Sequence, residues 1–182
     1  MTPMPPAGRQ RRYVWGPLST LGLGVALFTG IADQASKLWL LYGFDLERRV
    51  RVALTPFIDL VVTWNKGISY GLLQQQGRMG AWALLAFKAV ALVFLWVWLA
   101  RVSSRLTAVA LGLIIGGAVG NAIDSLHWPG VMDFVLLHLQ TERWRFDWYV
   151  FNLADAAIVA GVIGLLYDSL RVGSPQKRPD PG

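Results

Sequence analysis

The sequence predicts a small α-helical membrane protein, a bundle of four transmembrane helices with a small β-sheet in the first outer loop. Three observations carry this. Of 182 residues, 54% are hydrophobic and only 15% charged, and mean hydropathy is +0.44, which is outside the usual range of a soluble globular domain. Four apolar stretches, at about 18–42, 80–100, 106–126 and 148–170, are each long enough to cross ~30 Å at ~1.5 Å per residue. Between the first two lies a loop whose β-branched alternation, Pro-Phe break and Asn-Lys-Gly turn suggest short strands.

Taken in order, residues 1–16 are Pro-rich with Arg9, Arg11 and Arg12, a basic and disordered tail. The apolar run that follows is too long for a signal h-region and has no A-x-A exit, so it reads as an uncleaved span. Residues 17–171 then form one membrane domain, and 172–182 a second solvated tail. Arg9, Arg11, Arg12, Arg101, Arg105, Arg171, Lys177 and Arg178 fall on one side of the four spans, on short flanks. The seven cations of the opposite side are spread over two longer loops, so both termini are expected in the cytoplasm. The formal charge of +6 fits loops beside anionic lipid and suggests no nucleic-acid partner. Absence of cysteine excludes a disulfide framework, a thiolate nucleophile and a cysteine metal site.

Polar residues inside the spans need partners, because an ionised side chain costs roughly 2.5–3.5 kcal/mol there even on insertion scales. Asp33 and Lys37 stand at i and i+4, one helix face, and are expected to pair. Gly112, Gly116 and Gly120 recur every fourth residue, a flat stripe for close helix approach, and Asn121 and Asp124 extend that side toward the outer end. Asp133 follows among apolar residues, and Asp155 is expected about seven residues, or ~10 Å, into the fourth span with Asn152 beside it. Two carboxylates brought together can share a proton, one acting as base and one as acid, which activates water against an amide. Spacing alone does not choose the pair among Asp124, Asp133 and Asp155. Lys88 inside the second span is expected to snorkel or to pair with a carboxylate. His127 and His138 lack metal-site spacing, and Trp144, Trp148 and Tyr149 suit an interfacial aromatic belt.

Five blocks in order, "DQASK" (33–37), "NKGISYG" (65–71), "GGAVGNAID" (116–124), "VMDF" (131–134) and "FNLADAAI" (151–158), resemble bacterial lipoprotein signal peptidase, the signal peptidase II family. The resemblance implies an intramembrane aspartic endopeptidase with Asp133 and Asp155 as the catalytic pair. It implies that Asn65, Asn121 and Asn152 bind substrate or orient the pair, and that Asp33, Lys37, Gly67, Gly116, Gly117, Gly120 and Asp124 support the site. The implied substrate is a diacylglyceryl-modified prolipoprotein, cut before its lipidated cysteine at the periplasmic face of the bacterial inner membrane. The first-loop sheet would serve as a cradle, no metal or organic cofactor is implied, and the partners are signal peptide and membrane lipid around a monomer.

One departure stands out. The family's third block normally ends in Asp-Arg, whereas Asp124 is followed here by Ser125, and the stretch 135–149 is long. Arg143 or Arg145 is expected to supply the missing charge. Two rival readings stay open: a non-catalytic or altered-specificity paralogue that binds lipoproteins, and a proton-coupled transporter component using the intramembrane charges as a relay.

Overall fold

The computed structural model describes residues 14–65, 78–141 and 143–172. In chain order these form α1 (Ser19–Leu38), a π-helical turn (Trp39–Gly43), the short α2 (Leu46–Arg49), β1 (Arg51–Thr55), β2 (Ile58–Asn65), α3 (Arg78–Leu99), α4 (Arg105–His127), β3 (Val131–Gln140), β4 (Arg145–Phe151) and α5 (Leu153–Val172). Gly67 and most of its block lie outside the described residues, as does most of each tail.

Helix α4 is the hub, and its small residues explain why. A Cβ on Gly112 would lie 2.6 Å from the Gly22 carbonyl oxygen, and one on Gly120 would lie 2.6 Å from Asp33 Oδ2. Gly116 abuts the Ala26 backbone in the same row. Gly117, about 100° further round, faces α5, where a Cβ would come within 2.5 Å of the Ala154 carbonyl oxygen. Pairing of 112 with 22 and of 120 with 33 makes α1 and α4 parallel. Pairing of 117 with 154 and of Gly161 with Ala110 makes α5 antiparallel to both. Glycine rows of this kind let backbones approach where no aqueous hydrophobic effect drives helices together. Ser104 caps α4 by accepting the Thr107 N–H at 3.3 Å. The bundle interior holds Ala26, Leu99, Ala108, Leu111 and Ile115.

The outer faces are apolar too. Phe28 and Ile31 of α1, Phe87 and Phe94 of α3, and Ile163 and Leu166 of α5 are exposed, a surface suited to hydrocarbon rather than water. By length and hydropathy, α4 and residues 153–171 of α5 are sufficient to cross a bilayer.

The sheet has four antiparallel strands in the order β1-β2-β3-β4. This corrects the expectation of a sheet confined to the first outer loop, since β3 and β4 come from the connection between α4 and α5. It also corrects the fourth apolar stretch: residues 148–151 end β4, and the helix begins only at Leu153. Hydropathy does not separate a strand from a helix in a short apolar run. The aromatic, alternating "RFDWYVF" suits a pleated surface, and the sheet neighbour β3 decides it. Thr141 closes the β3–β4 hairpin, its N–H donating to the Trp144 carbonyl at 2.9 Å. On β3, Met132 and Phe134 point into a second core with Leu40, Leu46 and Leu60, which seats the sheet on the end of α1. Across the strands, buried Asp59 joins Arg51 and lies 3.2 Å from His138 Nε2.

Candidate active site

Strand β3 presents Asp133 on the face opposite Met132 and Phe134. Its register sets Asp133 against Thr63 of β2 and Val131 against Asn65, so Asn65 is the diagonal neighbour of Asp133 on one face. Asn65 Nδ2 donates to Asp133 Oδ2 at 3.2 Å. The other oxygen, Oδ1, accepts from Asn152 Nδ2 at 2.7 Å.

Asn152 occupies the hinge between strand and helix. It is the N-cap of α5: its Oδ1 accepts the Asp155 N–H at 2.9 Å, while Asp155 Oδ2 accepts the Asn152 N–H at 3.3 Å. This reciprocal pair is a capping box, and it places Asp155 in the first helical turn, where free N–H groups favour a negative charge. The expectation of Asp155 about 10 Å inside the span is therefore corrected; the cap, three residues earlier, fixes the helix start. Asp155 Oδ1 accepts from Asn121 Nδ2 at 2.8 Å, and Asn121 Oδ1 accepts from Asn152 Nδ2 at 3.1 Å. Asp133 and Asp155 thus both bond to fully buried Asn152, and each has a further amide donor of its own.

Every hydrogen bond found on these two carboxylates comes from a neutral amide. Burial first, and then the neighbouring Asp155, push the Asp133 carboxyl up from 3.8 to about 6, while the Asn65 and Asn152 bonds and the charge of Lys37 restrain the rise.

Beneath the pair lies a charged layer. Lys37 Nζ stands 2.7 Å from Asp33 Oδ2 and 2.7 Å from Asp124 Oδ2, all three side chains being buried. Asp33 Oδ1 accepts the Ala154 N–H at 3.0 Å, and Asp124 Oδ2 accepts the Met132 N–H at 3.0 Å. Each of these acids therefore grips the backbone of the residue just before Asp155 or Asp133, and a single ammonium holds both acids. Gly116, Gly117 and Gly120 make the close approach of α1 and α5 to α4 that brings these groups together. Sequence reasoning missed Gln34, whose Nε2 donates to Asp124 Oδ1 at 2.8 Å and to the Gly120 carbonyl at 3.1 Å. Its place one residue after Asp33, inside an otherwise apolar helix, was the available signal.

The hairpin register carries the backbone of the arginines expected to supply the charge missing at Ser125 well away from Asp133. Arg143 is exposed in the turn, and Arg145 pairs with Gln140, seven residues or about 24 Å along β3 from Asp133. Instead Lys88 of α3 donates to Ser125 Oγ at 2.9 Å.

The family profile described as Signal peptidase (SPase) II matches residues 25–171. The lipoprotein signal peptidase of Rhodopseudomonas palustris (strain TIE-1) is 54% identical over 155 residues, covering 85% of this chain and 94% of that one. That of Nitrobacter hamburgensis is 55% identical over 158 residues, covering 87% and 96%. That of Methylorubrum extorquens (strain PA1) is 57% identical over 150 residues, covering 82% and 85%. Among solved structures, a bacterial membrane enzyme determined by the in meso method superposes with a TM-score of 0.65 at 22% identity, covering 89% of this chain and 95% of that one. A second such structure gives 0.63 at 25% identity, covering 84% and 94%.

Proposed function

The chain belongs to the signal peptidase II family, and from that premise we propose that it is an aspartic endopeptidase of the bacterial inner membrane. It removes signal peptides from diacylglyceryl-modified prolipoproteins by cutting before the lipidated cysteine. The observation that carries this reading is the pair Asp133 and Asp155, both hydrogen-bonded to Asn152, with Asp133 buried and raised to about 6. Helices α1, α3, α4 and α5 cross the bilayer, both termini face the cytoplasm, and the sheet end of the bundle faces the periplasm. The chain acts as a monomer.

Asp155, in the first turn of α5, is the ionised base; Asp133, whose burial favours the neutral form, is the acid. Asp155 takes a proton from water as the oxygen attacks the scissile carbonyl carbon, and Asp133 gives its proton to the carbonyl oxygen. The tetrahedral intermediate collapses as the proton held by Asp155 passes to the amide nitrogen and the C–N bond breaks. Asp133 then recovers a proton from the carboxyl group being formed. The products are a signal peptide with a free carboxylate and a lipidated cysteine with a free amine. A site at the membrane boundary reaches this bond while the diacylglyceryl chains stay in lipid.

The test is cleavage of a lipidated prolipoprotein by the purified chain, with the new amino terminus read by mass spectrometry. Wild type cuts before the modified cysteine, and Asp155→Asn loses about 10²–10⁴-fold or more in rate. An Asp155→Asn protein that retains its turnover refutes the assignment.

A further inference from the structure

Among the described residues Lys88 is the intramembrane cation that the charged layer does not absorb. Asp33, Lys37 and Asp124 satisfy one another, whereas Lys88 forms no salt bridge with any described carboxylate. Its described acceptor is Ser125 Oγ at 2.9 Å. Ser125 in turn donates its hydroxyl proton to the Asn121 carbonyl at 2.8 Å, so its lone pairs are left to face the ammonium. Asn121 and Ser125 lie at i and i+4 on one face of α4, and Asn121 is the residue whose side chain holds Asp155. Two hydrogen bonds thus tether the Lys88 ammonium to the backbone of a residue that orients Asp155.

An ammonium has three donors, and one is used here. Asp124, beside Ser125 in sequence, has both oxygens occupied, by Lys37, Met132 and Gln34. Lys88 is only half-buried, on α3, about 15 Å of helix from Arg78. A cation kept at that depth with no carboxylate in direct contact, only the charge of Asp124 nearby, gains from an acceptor that arrives with a ligand.

We propose that Lys88, anchored by Ser125, is a substrate-positioning residue that donates a hydrogen bond to a carbonyl oxygen of the bound prolipoprotein. The inference rests on the peptidase reading and adds to it a contact supplied by α3. That carbonyl belongs either to an ester of the diacylglyceryl group or to the peptide, the same acceptor chemistry from two sources.

The test measures kcat and KM with the full chain on two lipidated prolipoproteins, one with ester-linked and one with ether-linked chains. Lys88→Met raises KM about tenfold to a hundredfold with little change in kcat, the mark of lost binding rather than lost chemistry. Lys88→Arg preserves KM. In the double variant Lys88→Met with Ser125→Arg, a cation returns from α4 to the same place and KM recovers. If the acceptor is an ester, the ether substrate shows the raised KM with wild type, and Lys88→Met adds nothing further. If it is the peptide, Lys88→Met weakens both substrates equally. Melting in detergent checks the fold, and Lys88→Leu, which likewise lacks a donor, replaces Lys88→Met if that variant unfolds. A folded Lys88→Met protein with unchanged KM, or one that loses only kcat, overturns the proposal and leaves the peptidase standing. Wild-type protein that cuts neither substrate overturns the peptidase reading, and the role of Lys88 falls with it.

Discussion

Replacing Asp133 with asparagine is predicted to abolish cleavage and to make the protein more stable, relative to wild type, as pH rises. The carboxyl is displaced upward, from 3.8 to about 6, so the folded state binds its proton more tightly than the unfolded state does. Folding therefore carries no penalty from this group below the unfolded value, and stability is lost as pH rises from 3.8 through about 6. A displacement of that size corresponds to about 3 kcal/mol when complete. The amide of the Asp133→Asn variant does not titrate and escapes this loss. It does meet two amide donors, Asn65 and Asn152, with one acceptor oxygen, at a cost of about 1 kcal/mol that is the same at every pH. The quantity to measure is thus the difference in stability between Asp133→Asn and wild type as a function of pH, by thermal unfolding in detergent. It should grow by about 2–3 kcal/mol between roughly pH 4 and pH 8, or about 5–10 °C in Tm. Parallel pH profiles for the two proteins would show that Asp133 is not the buried, proton-holding partner, and the acid-base assignment would fail with it.

Lys37→Met leaves Asp33 and Asp124 buried without their cation, and denaturant unfolding should register a loss of about 3–5 kcal/mol together with loss of turnover. Gly117→Val drives a side chain into the Ala154 carbonyl, so α5 must shift; the expected cost is about 1–3 kcal/mol, with reduced kcat because Ala154 adjoins Asp155. Arg143→Ala, in the exposed hairpin turn, should leave kcat/KM within about twofold of wild type, because surface substitutions of this kind perturb little.

The positions of α1, α3 and α4 were legible in the sequence because long apolar runs have few other solutions. The start of α5 was not, because Trp148, Tyr149 and Val150 serve equally as the end of a strand and as the interfacial turn of a helix. What separates the two is the cap at Asn152 together with pairing to β3, and that pairing is a long-range fact absent from any local window. The pairing of Asp33 with Lys37 follows from i, i+4 spacing, but the second acid on Lys37, Asp124, comes from another helix. Likewise nothing in the spacing of Asp133 and Asp155 reveals that Asn152 joins them. The pair Lys88 and Ser125, from two different helices, was invisible for the same reason.

The hydrogen bond from the Ala154 N–H to Asp33 spans 121 positions of the chain. A ribosome that has just delivered Asp33 needs about 6–24 s to reach its partner at 5–20 residues per second. Throughout that interval Asp33 is without its backbone partner on α5, and Asp155 is not yet made. On the proposed reading, hydrolytic competence arrives only with the final helix, and a chain stopped short of it is inert.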